Sequence, residues 1–466
     1  MMHFRRFKIT FMLLLLTCTL SAQNIDGYWE GMLRISSADS LRLGMFVDMS
    51  GDTLHVELDS PDQYALGMAA ENISYEGDTL SWRMKSIGAS YTGVYDGTRF
   101  TGTFTQNRQH FPLTLERGHE RTVMRRPQTP QAPFPYLCEE LHFRSRDGGI
   151  PLINGDLTMP ESRKPTALYI LISGSGWQDR DESIAGHKPF LVIADHLTRT
   201  DNAAVFRYDD FPPAVFRKST TFDFADGVQL IMDSLLVRPE LAELPVYLLG
   251  HSEGSIVAFI VAAKDRRVSG IVTLGGVAQP MHEVLLYQLR AISEANHELT
   301  PAEIDNSIRI SEELYNIVRK SKTPQEAAKL IGAFWDEQCA KLTPEEQKRY
   351  NMTMTGKITA IQQLTSPWFF TFFHFDPKKY IKKVQCPVIA INGEKDLQVD
   401  AVANQTLMRR YLSKKWPHQF HIIPSANHLL QTCTTGSPDE YGAIEETICP
   451  GVLELIGNSV PLQKNN

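Results

Sequence analysis

The chain has no excess of positive charge, few cysteines and, past its first residues, no long apolar run. Its 466 residues carry 47 Lys and Arg against 54 Asp and Glu, a formal net charge of −7. That balance gives no electrostatic footing for a phosphate backbone, so a nucleic-acid partner is not expected. Six cysteines in such a length make no disulfide framework. The spacings CxxC and HExxH do not occur, so a metal site is not expected. Beyond the N-terminus no stretch is apolar for long enough to span a bilayer, which argues against stable membrane insertion. With 42% hydrophobic and 22% charged residues the composition is that of a globular protein of two or three domains.

The first 22 residues read as a secretory signal peptide. Arg5, Arg6 and Lys8 precede the apolar run Phe11 to Leu16, and Leu20-Ser21-Ala22 ends in small residues. Cleavage after Ala22 would deliver the chain to the periplasm or the exterior. Cys18 raises lipidation as an alternative, but Thr17 stands where a smaller residue is wanted. Five cysteines remain, of which Cys433 and Cys449 bracket one loop and are candidates for a bridge in an oxidising compartment; otherwise all five read as small buried hydrophobes.

Residues 23–117 read as an all-β domain, a small antiparallel barrel or sandwich. Short runs (Leu41 to Val47, Thr53 to Leu58, Thr79 to Met84, Phe100 to Thr105) alternate with turns, among them Gly51-Asp52, Gly77-Asp78 and Asp96-Gly97. Residues 118–137 read as a solvated linker, basic from Arg117 to Arg126 and then broken by Pro127, Pro130, Pro133 and Pro135. From 138 to 466 the pattern changes to apolar strands alternating with helices. Ala167 to Ile172, Ala203 to Arg207, Val246 to Gly250, Val268 to Leu274 and Val388 to Ile391 are continuous apolar runs, the mark of a doubly wound, mostly parallel α/β sheet. Helices are expected around 187–200, 222–237, 253–264, 399–411 and 440–458. More than a hundred residues part the last two strands, too many for one crossover. Residues 281–380 therefore read as a helical cap, with helices near 282–296, 301–320, 324–338 and 344–363.

The chemistry centres on Gly250-His251-Ser252-Glu253-Gly254. It fits G-x-S-x-G between an apolar strand and a helix, where a sharp turn exposes the serine Oγ as a nucleophile. A serine needs a base oriented by an acid, in this fold in the order Ser, acid, His. Asp396, in the loop after strand 388–391, is the expected acid, with Glu394 and Asp400 as rivals. His428, beyond the strand around Phe420 to Ile423, is the expected general base; His421 reads as a packing residue. The oxyanion hole would take the amide of Glu253 and one from the loop Ser173 to Asp181, first Ser175 and next Gly176. Asp179, Arg180 and Asp181 would stiffen that loop. The aromatic stretch Pro367 to Phe375 either lines an acyl pocket or packs the cap.

Taken together, Gly174 to Asp181, Gly250 to Gly254, Gly393 to Asp396 and Asn427-His428-Leu429 resemble secreted bacterial α/β-hydrolase carboxylesterases of the dienelactone-hydrolase and prolyl-oligopeptidase-like branch. The resemblance covers about 140–460 well. A β-rich leader before such a hydrolase, here 24–117, is similar to an arrangement found in Bacteroidetes-type envelope proteins. The likeness departs at Trp177, where many relatives have Pro, and at Asp210 to Ser219, where many have Arg-Gly-x-Gly-x-Ser. It implies a Ser252, His428, Asp396 esterase acting on a small-molecule or glycan-linked ester without a cofactor. A peptidase or acyltransferase with the same triad, or an inactive envelope-binding protein, are the alternatives.

Overall fold

The structure, a computed structural model, describes residues 24–457 except 36–38, 51–52, 64, 86, 107–108, 120, 122–124 and 351. The expected signal segment 1–22, Cys18 and the cleavage point lie outside the described residues, as does the Gly51-Asp52 turn. The chain forms two compact units, Met1–Val123 and Met124–Asn466.

The first unit is one antiparallel sheet of nine strands: β1 (Gly27–Arg34), β2 (Ser40–Asp48), β3 (His55–Ser60), β4 (Ala65–Ala69), β5 (Glu71–Glu76), β6 (Thr79–Met84), β7 (Ala89–Tyr95), β8 (Arg99–Gln106) and β9 (Gln109–Arg117). The order runs β4-β3-β2-β1-β9-β8-β7-β6-β5. The two edge strands are consecutive in sequence and only Ala70 separates them. Consecutive Cα atoms are about 3.8 Å apart, so the sheet must curl until its edges meet at that corner, giving an almost closed barrel. Inward-facing Trp29, Trp82, Tyr91 and Phe100 fill it. The basic stretch is not simply solvated. Arg117 stacks over Trp29, and Arg121 pairs with Glu57 and with Asp59, whose side chain is fully buried.

The second unit carries eight strands: β10 (Leu137–Phe143), β11 (Ile153–Met159), β12 (Leu168–Ile172), β13 (Ala204–Tyr208), β14 (Val246–His251), β15 (Val268–Leu274), β16 (Val388–Gly393) and β17 (Gln419–Ile423). Their order is β10-β11-β13-β12-β14-β15-β16-β17. β11 is antiparallel to both its neighbours, β10 and β13, and the remaining pairs are parallel. This is the α/β-hydrolase fold. Alternate residues of each central strand face opposite layers. Tyr169, Leu171, Tyr247 and Leu249 meet α1 (Pro189–Thr200) and the C-terminal helix Pro450–Gly457. Leu168, Ile170, Ile172 and Leu248 meet the other layer, which includes α3 (Thr221–Leu235) and α4 (Glu253–Ala262) and follows the short α2 (Pro213–Phe216). Every residue of α4 is buried, and from Ile256 onward it is apolar on all sides.

Between β15 and β16 the chain leaves the sheet to build the cap: α5 (Met281–Asn296), α6 (Pro301–Lys320), α7 (Pro324–Cys339), α8 (Pro344–Arg349), α9 (Met354–Leu364), α10 (Pro367–His374) and α11 (Lys378–Ile381). Prolines stand at the starts of α6, α7, α8 and α10, and Thr300, Thr323, Thr343 and Ser366 cap them. The cap has a core of its own around Val318, Ile331, Trp335 and Phe373.

Several expectations need correction. The stretch 344–363 is two helices, because Thr353 caps a fresh start by accepting from the Gly356 amide. The stretch 440–458 is a 3₁₀ turn, Pro438–Ala443, then a separate helix, because Pro450 cannot continue one and the Thr447 and Ile448 amides bond to Gln128 instead. That bond and three from Arg126 to carbonyls of Ala185, Gly442 and Ile444 tie the start of the Pro-rich segment into the second unit rather than leaving it a free linker. Cys433 and Cys449 are unbridged, and of the five described cysteines only Cys386 is buried while Cys138 is exposed. Among the described residues no helix is long and apolar enough to cross a membrane.

Truncating Phe259 in α4, 1% exposed, should cost about 3–5 kcal/mol, whereas Val402→Ala at a position 65% exposed should cost about 0.5 kcal/mol or less. Denaturant unfolding of the two variants checks this contrast.

Candidate active site

Ser252 occupies the turn between β14 and α4 at φ 50° and ψ −118°, a region that side chains other than glycine avoid at a cost of about 1–3 kcal/mol. Its neighbours leave it no alternative. The Ser252 amide donates to the Leu274 carbonyl at 2.8 Å. Its own carbonyl accepts the Ser255 hydroxyl at 2.6 Å, and that oxygen in turn accepts the Val277 amide at 3.0 Å. Gly254 is required because a Cβ there would collide with the Ile172 carbonyl of β12, so only glycine lets α4 sit so close to that strand.

His428 and Asp396 are brought together by the ends of β17 and β16. The His428 Nδ1 lies 2.8 Å from Asp396 Oδ2. The other Asp396 oxygen accepts the Gln398 and Val399 amides at 2.8 Å each. The carboxylate, 2% exposed, is thus fully hydrogen-bonded and held at one angle to the ring. With Nδ1 donating to a carboxylate, Nε2 is left as the acceptor. The ring packs on Gly275, at φ 57°, where a Cβ would sit 2.8 Å from His428 Cε1. Ser252 Oγ and the imidazole form no hydrogen bond in this structure, a contact that often tightens only when substrate binds. The rivals for the acid have other partners. Glu394 accepts the Ser425 amide, and Asp400 caps the helix α12 (Ala401–Tyr411) by accepting from Ala403. His421 lies within β17 against Gln419.

A narrow cavity of about 80 Å³ joins Ser252, Glu253 and Ser175, with Val277, Met281, Val284, Trp368 and Phe372 among its walls. Glu253 is the first residue of α4, so its amide has no intrahelical acceptor. In the facing loop the Gly174 and Gln178 amides are taken by Glu182 and Asp210. Ser175, exposed, has no protein acceptor for its amide among the described residues. Gly176, the second choice, stands at φ 94°. The aromatic stretch does both things expected of it: Trp368 and Phe372 reach this cavity while Phe373 packs the cap.

The loop Ser173 to Asp181 is braced from below. Arg180 joins Asp209 at 2.7 Å, Glu140 at 3.2 Å and Asp156, and Arg207, almost fully buried, pairs with Asp181. Three supports escaped the sequence reading. Glu182, 1% exposed, accepts the Gly174 amide and lies 2.8 Å from His251 Nδ1. The second His251 nitrogen faces the His428 carbonyl at 3.2 Å. Two acceptors call for two N–H donors. Burial pulls the His251 pKa down, but Glu182 and the His428 carbonyl outweigh it and the net shift is upward. Asp210 accepts from Gln178 and Ser173, and burial pushes its carboxyl up to about 7. The signal for His251 was its place inside the G-x-S-x-G motif; Glu182 and Asp210 stand beside motifs but announce nothing on their own.

The Glu253 side chain turns the other way from its amide. One carboxyl oxygen accepts Thr221 Oγ1 at 2.7 Å and Trp368 Nε1 at 2.8 Å. Burial pushes this carboxyl up to about 7.

No family model matches the chain. Among curated proteins it is similar to Esterase EstD of Thermotoga maritima, 23% identical over 348 residues that make up 72% of each chain. Among solved structures it is similar to a dienelactone hydrolase from Anabaena variabilis, with TM-score 0.38 and 14% identity over 70% of this chain and 94% of that one. It is also similar to Est1E from Butyrivibrio proteoclasticus, with TM-score 0.38 and 15% identity over 69% of this chain and 95% of that one.

The raised Glu253 pKa has a definite sign in stability. The folded state holds this proton up to about pH 7 while the unfolded state releases it near its ordinary value, so the folded protein loses stability as pH rises through that window. Glu253→Gln keeps an acceptor oxygen and removes the titration. The variant should therefore gain on the unaltered protein by about 2 kcal/mol between pH 5 and pH 8, measured by urea unfolding at both.

Proposed function

We propose that this chain is a serine hydrolase of carboxylic esters, with Ser252 as nucleophile, His428 as general base and Asp396 as the acid that orients it. The observation that carries the reading is Ser252 on a strained strand-to-helix turn, opening on a cavity shared with the Glu253 and Ser175 residues, while His428 is locked onto Asp396 beside it. The similarity to an esterase from Thermotoga maritima supports the same activity. The N-terminal 22 residues support action in the periplasm or outside the cell.

In the reaction, Ser252 Oγ attacks the acyl carbon and its proton passes to His428 Nε2. The carbonyl oxygen becomes an oxyanion that accepts from the Glu253 and Ser175 amides. Asp396 holds the ring's tautomer and stabilises the imidazolium. Collapse breaks the acyl carbon–oxygen bond, and the departing alkoxide takes the proton from His428. Water then attacks the acyl-enzyme, gives a proton to the same nitrogen, and collapse returns it to Ser252 as the acid leaves.

The cavity walls mix apolar residues such as Val277, Met281 and Phe372 with the amides of Gln288 and Gln398, and the one acidic residue among them, Glu253, has its carboxyl engaged by Thr221 and Trp368. That lining favours an ester over a peptide whose amino terminus would need a free carboxylate. The test is turnover of p-nitrophenyl esters from acetate to decanoate beside a set of p-nitroanilides. Ester turnover should fall off steeply with acyl length, because the cavity is small. Ser252→Ala should abolish it, and Asp396→Asn should lower kcat by roughly 10³–10⁴-fold with little change in fold. Turnover of anilides alone would make the protein a peptidase. No turnover, with folded protein and no fluorophosphonate labelling of Ser252, would leave it a binding protein.

A further inference from the structure

The cavity at Ser252, about 80 Å³, holds a handful of water-sized groups, each needing about 10–15 Å³ of such space. A short acyl group fits it, and a bulky alcohol half needs further room. A second pocket of about 380 Å³ adjoins it and shares the Trp368 wall. The two meet at the Ser175-Gly176 turn, Ser175 lining the first and Gly176 the second. Phe216, Trp368 and Phe369 give the larger pocket three aromatic walls, and Arg217, Gln363 and Ser366 complete it.

Arg217 differs from the arginines under the neighbouring loop. Arg180 and Arg207 are each surrounded by carboxylates. Arg217 is exposed and has no ion pair among the described residues. It closes the short helix α2, with its amide bonded back to Pro213. A guanidinium at the edge of an aromatic pocket presents a planar fork that matches a carboxylate in two parallel hydrogen bonds. No acidic residue lines the larger pocket.

Resting on the ester-hydrolase reading of Ser252, we propose that the larger pocket takes the alcohol half of the substrate, that this half is an aromatic ring bearing a carboxylate, and that Arg217 binds the carboxylate. The cavity at Ser252 takes a short acyl group such as acetyl. Hydrolysis of such an ester breaks the acyl carbon–oxygen bond and yields the short acid and a carboxylated phenol.

The test compares kcat/KM for 4-carboxyphenyl acetate and phenyl acetate, which release the same acid and phenols of similar leaving ability. The unaltered full chain should prefer the carboxylated ester by about five- to tenfold at low salt, mostly through KM. The preference should shrink as salt is added. In Arg217→Ala the ratio should drop to about one, and in Arg217→Lys it should be partly retained. Reading the ratio within each variant cancels any loss of folded protein. A ratio near one in the unaltered chain, or a ratio unchanged in Arg217→Ala, overturns the assignment of this pocket while leaving the esterase standing. No turnover of either ester, with Ser252 unlabelled by a fluorophosphonate, overturns the esterase and the pocket assignment together.

Discussion

The unfavourable backbone of Ser252 is the constraint from which the rest of the second unit follows. A residue at φ 50° stays there only if its surroundings over-determine it. The surroundings are three strands deep. The Ser252 amide is tied to the end of β15, the following glycine is pressed against the end of β12, and Ser255 links the Ser252 carbonyl to the chain leaving β15. Parallel strands end at a common edge, so the same arrangement that strains Ser252 also delivers the loops after β16 and β17 to its side. Gly275, next to the carbonyl that holds Ser252, is the surface on which His428 rests. The strain and the assembly of the site are therefore one feature of the sheet edge, not two.

Around that edge four carboxyl groups are buried or nearly so, and each has a structural duty. Asp396 fixes the His428 ring, Glu182 fixes Gly174 and His251, Asp210 fixes Ser173 and Gln178, and Glu253 fixes Thr221 and Trp368. Packing so many acids into one region would be prohibitive if all were charged and unpaired. Two are relieved by a facing imidazole. The other two, Asp210 and Glu253, are pushed up to about 7 by burial and so carry a proton through much of the ordinary pH range. Burial decides protonation here, and protonation makes the burial tolerable.

What could be read from sequence followed the range of the interactions involved. The strand, turn and helix around Ser252 are local, so the motif and its flanking apolar runs sufficed to place them. Asp396 and His428 each stand in a loop just past an apolar run, and the parallel order brings those loops together. The Glu182 to His251 contact joins residues 69 positions apart with no motif linking them, and only the folded sheet shows it. The edge strand β10 escaped for a different reason. β10 is Leu137-Cys138-Glu139-Glu140-Leu141-His142-Phe143, mostly exposed, and an edge strand with one solvated side lacks the continuous apolar run that marks the central ones. In the first unit, β5 has no fully buried residue and was missed on the same ground. The expected helix over 440–458 failed because its amphipathic spacing is real but tertiary bonds to Gln128 and the proline at 450 override it.

The cap belongs to the site rather than merely covering it. It has an apolar core around Trp335 and Val318, while Met281, Val284, Phe372 and Phe375 join the core of the sheet. Two of its hydrogen bonds land on the loops that carry the candidate site. Tyr287 of α5 donates to the Asp396 carbonyl at 2.8 Å, and Trp368 of α10 donates to the Glu253 carboxyl at the same distance. Glu253 thus faces two ways, its amide toward the cavity at Ser252 and its carboxyl toward the cap. A shift of α10 that broke the Trp368 bond would leave a buried carboxyl short of a donor and, by the same movement, reshape both pockets that Trp368 lines. The wall of the cavity and the seating of α10 are thus coupled through one side chain, the one that follows the nucleophile candidate in the chain.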